Sequence, residues 1–591
     1  MVTRSRKKVQ KNLVKNKNIQ LAIVAVAVVL ILVILGLAIF SGNAGHSYAL
    51  YLKDKEIFYT SAGKLKPWQT TEQFIDTEEI DASDLTDAAT YLGLYTKVSS
   101  DGKTIFFFDK VTEEGGNLYY RRINKSNKEP KKIAENVSEF VLDEKADCVT
   151  YLKEGTLYQF NMKKSQKLVE EVEDFYVSED AKTIVYLNSD DEIYFKGKAK
   201  SAEKIDSDIT RIVNVSEECD TVHYLKDDTL YQKQMGRDKV KIASDVYSVP
   251  KVYESGELYF LVEETREFVL KDYVEDDMKE KDAEMKEPKA SDYKDDNEYQ
   301  DAYYEYYERQ EREELRLQLE DGMLETSTYE LFYYNGKKAV SVAKGTASGV
   351  DVAEDTAVAV YAVYDKAKTE KVKLSEVDYM FEIEDLVEEA LFASSKCYVA
   401  VGKKSSEIQQ KNAYDFEIDA DGKTLYFIDN ISGETGHGDL YTAKISGGKV
   451  KNPKKYDTKV YKYGAGFVSE GQYVYYKAVD DEGDSGELYV NKKKVDNNVD
   501  LYNMIYIEAT QDFVYMTGWN DDKDFGLLKL YNGNKSVEIA KKVYDYNLLP
   551  GGEVVLLSEY DEGECKGILS VYRKGKTKKV DEGVAAIIPV N

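Results

Sequence analysis

The chain has 591 residues, 42% of them hydrophobic and 32% charged, with a formal net charge of −28. Seven prolines are too few for a Pro-rich stalk, and so acidic a surface repels phosphates, which excludes a nucleic-acid partner. Forty-nine tyrosines favour strands, and the four cysteines, at 148, 219, 397 and 565, form no cluster that would indicate a disulfide framework or a zinc knuckle.

In chain order, residues 1–18 ("MVTRSRKKVQKNLVKNKN") carry seven basic side chains and no acid, which leaves about −35 on the remainder. Residues 19–40 contain the run "LAIVAVAVVLILVILGLAIF" (21–40), twenty apolar residues without a charge. At 1.5 Å per residue that is about 30 Å, a bilayer core. The run is longer than the apolar part of a cleaved signal, although "GNA" at 42–44 would pass as a cleavage site, and no cysteine follows it as in a lipoprotein. The segment is therefore expected to be an uncleaved single-pass transmembrane helix. The basic flank places the short tail in the cytoplasm and the bulk of the chain, residues 47–591, outside the cell.

Next comes "YALYLKDKEIFYTS" (48–61), a hairpin placed to close a ring against the C-terminal repeat. A three-part unit then recurs. Its first marker is a polar turn followed by an apolar run: "DGKTIFFFDK" (101–110), "KADCVTYL" (145–152), "DAKTIVYL" (180–187), "ECDTVHYL" (218–225) and "DGKTLYFIDN" (421–430). The second is Leu-Tyr or Ile-Tyr after another turn, as in "GNLYYRRI" (116–123), "GTLYQFNM" (155–162), "DEIYFKGK" (191–198) and "DTLYQKQM" (228–235). The third is Lys-rich and alternating, as in "KKIAENV" (131–137) and "KKVDNNV" (493–499). A period near 40 with several strands per unit predicts propeller blades. An apolar run without alternation suits an inner strand covered on both faces, and a Lys-rich alternating one suits an outer edge. The predicted fold is an all-β propeller of about 8–10 four-stranded repeats, or two smaller rings.

Residues 266–328 interrupt the pattern. They are acidic, helix-forming and Tyr-rich, and read as an insertion within a blade; "GELYFLVEE" (256–264) is the unit it breaks and "YELFYYNG" (329–336) its resumption. Tyr299, Tyr303 and Tyr306 fall on one helical face. Deleting residues 270–325 is expected to leave the rest folded. A second helix is predicted within 375–395.

On the "DGKT-aromatic" and "LY" markers, the region 47–591 resembles the TolB-type and related WD-like propellers, especially the membrane-tethered propellers of Gram-positive bacteria. The Gly-His and Trp-Asp pairs of true WD repeats are absent. The resemblance implies a fold and a preference for protein contacts, and no catalytic residue.

"GDSG" (483–486) matches a serine-protease nucleophile motif at Ser485, but the three histidines, His46, His223 and His437, are scattered and no HExxH or GxSxG motif exists. The acidic loops 418–422, 478–487 and 518–526 offer carboxylates to Ca²⁺ without matching an EF-hand, and turn chemistry explains them equally well. No residue is assigned a catalytic, cofactor or metal role. The expected function is a non-catalytic, membrane-anchored extracytoplasmic scaffold that binds a protein or cell-envelope partner, one carrying a basic patch. The alternative is an extracytoplasmic hydrolase or lyase acting at the propeller's central opening, where a cluster of acid, base and cation would mark the site.

Overall fold

The computed structural model describes residues 47–54, 56–61, 68–69, 95–112, 115–123, 129–197, 201–277, 286–363, 371–377, 380–393, 396–408, 414–432, 435–469, 471–480, 483–507, 510–520, 523–549 and 551–589. The basic segment 1–18 and the segment 19–40, expected to cross a membrane, lie outside them. Among the described residues no helix is long and apolar enough to cross a membrane.

The chain divides into two compact units. One holds residues up to 182, 484–486 and 495–591; the other holds 183–483 and 487–494. Both are built from antiparallel four-stranded meanders, the sheet unit of a β-propeller. The second strands identify the repeats. In the first unit they are Tyr48–Lys53, Thr104–Thr112, Val149–Lys153, Asp512–Asn520 and Val554–Asp561. In the second unit they are Thr183–Asn188, Thr221–Lys226, Glu257–Val269, Val358–Val363, Thr424–Asp429 and Gln472–Lys477. The described residues thus hold eleven repeats, more than the eight to ten expected. The excess comes from the hairpin at 48–61. It is a repeat in its own right, completed by Ala586–Ile588, which pairs with it in the register Leu50↔Ile588, Tyr51↔Ile587 and Leu52↔Ala586.

Each near-copy of the opening turn does the same work. In "SSDGKT" the Gly102 N–H donates to the Ser99 carbonyl at 2.7 Å, Gly102 takes φ +63°, and Ser99 Oγ accepts the Thr104 N–H at 2.9 Å. In "DADGKT" the Gly422 N–H reaches the Asp419 carbonyl at 2.8 Å, and Asp419 Oδ1 accepts the N–H groups of Lys423 and Thr424, both at 2.7 Å. "SEDAKT" and "SEECDT" repeat it with Ala181 and Cys219 in the left-handed conformation. The side chain three residues before the left-handed one therefore caps the hairpin. Gly422 carries a second constraint, because a Cβ there would lie 2.5 Å from Thr356 Oγ1 and 2.6 Å from Val358 Cγ2. Gly422→Ala is expected to cost about 2–5 kcal/mol, from a left-handed alanine (about 1–2) and overpacking (about 1–3). Gly575→Ala, at φ +75° with no heavy atom within 4 Å of the added carbon, should cost only about 1 kcal/mol, read from denaturant midpoints.

The apolar runs are buried on both faces: Ile105, Phe106 and Phe108 are fully buried. In the Leu-Tyr marker the aliphatic residue enters the core (Leu118, Leu157, Ile193, Leu230, Leu440 and Leu488 are fully buried). The tyrosine instead stacks on the aromatic directly opposite on the second strand. Phe107–Tyr119, Tyr151–Tyr158, Tyr186–Tyr194, Tyr224–Tyr231, Phe427–Tyr441 and Tyr475–Tyr489 all do so with centroids 5.0–6.0 Å apart. These six cross-strand pairs use ten of the 49 tyrosines.

Adjacent repeats are latched by an aspartate in the Lys-rich last strand. Asp206 accepts from Tyr224 Oη at 2.7 Å and pairs with Lys239 at 2.5 Å; Asp457 accepts from Tyr475 at 2.5 Å and Lys477 at 2.6 Å. Asp496 serves Tyr515 and Lys529, and Asp581 serves Tyr51 and Lys53. Burial alone would raise the Asp206 and Asp457 carboxyls, but their lysine and tyrosine donors hold both below the usual carboxylate range.

The insertion differs from its expected outline. Strands Glu257–Val269 and Met323–Asn335 pair without a break from Glu257↔Asn335 to Val269↔Met323. Residues 266–269 and 323–328 are thus strand rather than insertion, and "GELYFLVEE" is a second strand whose Phe260 stacks on Phe332 at 5.1 Å. Helix α1 (Asp296–Asp321) is N-capped by Asp295, which accepts the N–H groups of Asn297 and Glu298. Its C-terminal half supplies Leu315 and Leu319 to a small core with Phe268, Leu270, Leu324 and Leu374. Ile383 and Val387 of helix α2 (Met380–Ala393), the second interruption, complete that core. The two interruptions fold together as one appendage, stitched by a parallel pair, Val274–Glu275 with Val372–Lys373. Deleting residues 270–325 alone would strip α2 of its partners.

Candidate functional site

In the unit that holds the chain's first repeats, the first strands of three consecutive repeats bring together an unlike trio. Lys97 lies on Thr96–Val98, Glu139 on the second half of Lys131–Leu142, and Asp174 on Val172–Val177. The strand Lys131–Leu142 serves two repeats. Its residues 131–137 pair with Gly115–Arg122 and residues 137–142 with Val149–Lys153, and a bulge after Val137 turns it. Lys97 Nζ donates to the Phe140 carbonyl at 2.8 Å and stands 5.0 Å from the centre of the Phe140 ring. Burial lowers its pKa, countered by the charge of Glu139. Burial raises Glu139 to about 7, with Asp174 pushing the same way and Lys97 opposing. Asp174 is itself raised by burial, while the Phe175 N–H, 2.7 Å from Oδ1, works against it. The trio sets a carboxyl displaced upward from its ordinary range beside a cation and a second acid, although the Glu139 side chain itself stays open to solvent, which tempers the shift.

Two last strands show the contrast. There, Asp206 and Asp457 are paired and held low; on first strands, Asp351 and Asp545 join Glu139 and Asp174 in being raised by burial. Sequence reasoning missed the trio because its members belong to separate repeats and share no motif. The signal available was a charged residue within an otherwise half-apolar first strand, as in "NVSEFVL" and "EVEDFYV".

The residues singled out by motif do not assemble. Ser485 Oγ donates to Asn498 Oδ1 at 2.6 Å. His437 Nδ1 donates to the Thr435 carbonyl at 2.5 Å, and its ring stands 5.2 Å from that of Tyr461. His223 is 2% exposed, in the core of its repeat, with neither ring nitrogen hydrogen-bonded. His46 lies outside the described residues. In the acidic loops, Asp419 and Asp421 bind turn N–H groups and Lys423, and Asp480 binds the Gly483 N–H at 2.9 Å. Among the described residues no three His, Cys, Asp or Glu gather as a metal site would require.

No family model matches the chain, and no curated protein matches its sequence. Solved structures with a related course include a eukaryotic initiation factor (8% identity, TM-score 0.32, 84% of this chain and 97% of that one). Others are the dipeptidyl peptidase 4 of Porphyromonas gingivalis (10%, 0.33, 86% and 63%) and the β-propeller domain of the Trilobed protease from Pyrococcus furiosus (12%, 0.22, 62% and 95%). At these values the likenesses carry no argument about activity.

Proposed function

We propose that the chain is a non-catalytic β-propeller scaffold, membrane-anchored through residues 19–40, that binds a protein or cell-envelope partner outside the cell. The observation that carries this reading is helix α1. Its C-terminal half is fixed in a core, while its N-terminal half turns tyrosines outward: Tyr304 is 67% and Tyr307 47% exposed. Tyr299, Tyr303 and Tyr307 pack ring on ring along one face at 5.7 and 4.8 Å. Ordered, solvent-facing tyrosines are the side chains that interfaces favour, since they give large contact area at little entropic cost. The acidic surface adds attraction for a basic partner.

The test is a pull-down of envelope proteins by the ectodomain, at low and at high salt. The expected result is a retained species released by salt, lost in the Tyr304→Ser/Tyr307→Ser variant and kept in Ser485→Ala. Undiminished retention by the tyrosine variant would overturn the reading. The second reading, a hydrolase or lyase, is favoured by the Lys97–Glu139–Asp174 trio, and a turnover abolished by Glu139→Gln would establish it in place of the first.

A further inference from the structure

The last two repeats of the first unit enclose a cavity of about 160 Å³ lined by Tyr502, Met504, Met516, Trp519, Tyr544 and Asp545, with Asn503, Ile505 and Tyr546 completing the wall. Tyr502 and Met504 come from the long strand Lys493–Ile507, Met516 and Trp519 from Asp512–Asn520, and Tyr544 and Asp545 from Ser536–Leu548. A bulge between Val543 and Asp545 interrupts the pairing with Val554–Asp561 and resets which face the aspartate joins. Apolar cavities of roughly this volume admit a benzene-sized guest.

The walls are held in place. Tyr544 stacks on Tyr560 with centroids 4.1 Å apart, and Tyr546 Oη donates to the Asn503 carbonyl. Gly526 makes room for Met516, whose Cγ would stand 2.5 Å from any Cβ at that position. Trp519 is partly buried, and Tyr502, 70% exposed, stands at the mouth.

Asp545, the one ionisable acid in this wall, has no counter-ion among the described residues. Burial raises Asp545 to about 6, and the Tyr546 N–H opposes the rise. Elsewhere in the same unit, Asp496 and Asp581 each hold a lysine and a tyrosine hydroxyl. The titratable groups facing Asp545 are Tyr544 and Tyr546 on its own strand, Tyr502 on one neighbour, and Tyr560 on the other. Tyr560 in turn senses Cys565 and Glu562. None of these supplies a positive charge. Four electron-rich rings, two thioethers and a lone carboxylate make a wall complementary to a cation with an apolar shell.

We infer that this cavity is a binding site for an alkylammonium group, the Asp545 carboxylate pairing with the charge while Trp519, Tyr502 and Tyr544 face its methylene or methyl groups. Two sources carry that chemistry, a lysine side chain and a quaternary ammonium headgroup, and the site is independent of whatever the tyrosine helix binds.

The chain has two tryptophans, so in a Trp68→Phe background Trp519 reports on the cavity alone. Titration of the ectodomain with choline, and separately with N-acetyl-lysine methylamide, should give saturable quenching at millimolar concentrations with one of them. The neutral isostere 3,3-dimethylbutanol and matched sodium chloride should give none. Asp545→Asn should weaken binding at least tenfold, and Tyr502→Ala, an exposed truncation that leaves the fold intact, about fivefold. Lowering the pH from 7.5 to 5 should weaken wild-type binding about tenfold and leave Asp545→Asn unchanged. Quenching by neither cation, or equal quenching by the neutral isostere, overturns the inference. If Asp545→Asn shifts the thermal melt, the Tyr502→Ala titration and the wild-type pH dependence decide alone.

Discussion

Ile588→Ala, three residues from the C-terminus, should destabilise the first unit by about 2–5 kcal/mol, the full cost of a core truncation of its size despite its place near the chain end. Ile588 is 1% exposed and packs with Leu50, Leu52, Ile57 and Tyr59. Its strand is short, only Ala586–Ile588, so little other contact compensates when it loosens. Ile588→Asp, which buries an unpaired charge, should be worse and should expose the edge of Tyr48–Lys53 to intermolecular pairing. Chemical denaturation followed by tyrosine fluorescence, with light scattering alongside, reads both effects. Two units need not melt together, so the earliest transition is the relevant one. An Ile588→Ala variant within 1 kcal/mol of wild type would mean that the C-terminal strand closes nothing.

Acidification from pH 7 to 5 should cost about 2 kcal/mol through His223 alone. Burial lowers its imidazole to about 4, against an ordinary value of 6.5. Below pH 6.5 the unfolded chain takes up a proton that the folded chain refuses. Stability is therefore full above that pH and is lost as pH falls toward 4, at about 1.36 kcal/mol per unit. The neighbouring repeat shows the remedy: "TIVYL" (183–187) places the fully buried Val185 where "TVHYL" (221–225) places His223. His223→Val should match wild type at pH 7 within about 1 kcal/mol and flatten the pH dependence between 7 and 5. Equal slopes in the two proteins would remove His223 as the cause.

Much of the fold is readable along the chain because each repeat is local. A capped turn, an apolar run and a Leu-Tyr strand occupy adjacent residues, and each has a physical demand that restricts its composition. What escaped is non-local. "AAII" at 585–588 carries no marker, so the hairpin at 48–61 reads as an extra strand pair added to the last repeat rather than as a repeat of its own. "GELYFLVEE" has the composition of a third strand but is a second one, since only its pairing with Met323–Asn335 settles its place. The aspartates of "KKVDNNV" and "KKVDEGV" look like solvated charge until Tyr515 and Tyr51 are found above them. The candidate trio is the extreme case. Lys97, Glu139 and Asp174 are spread over three repeats, and a charge on a first strand acquires chemistry only from the strands beside it. The GDSG match fails for the converse reason, as Ser485 has Asn498 within reach rather than a base.

The closing strand also sets an order of events during synthesis. Tyr51 finds its hydrogen-bond partner 530 residues later, in Asp581, and its sheet neighbour Ile587 later still. Throughout translation the first repeat must wait with one edge unsatisfied, while every other repeat can form as soon as its own contiguous stretch of chain has emerged, about forty residues except where the two interruptions lengthen it. Closure of so long a loop is the slow, entropically costly step of folding, and the nascent edge is the surface on which aggregation starts. A factor that shields residues 48–53 until release would raise the yield of folded chain without touching its final stability.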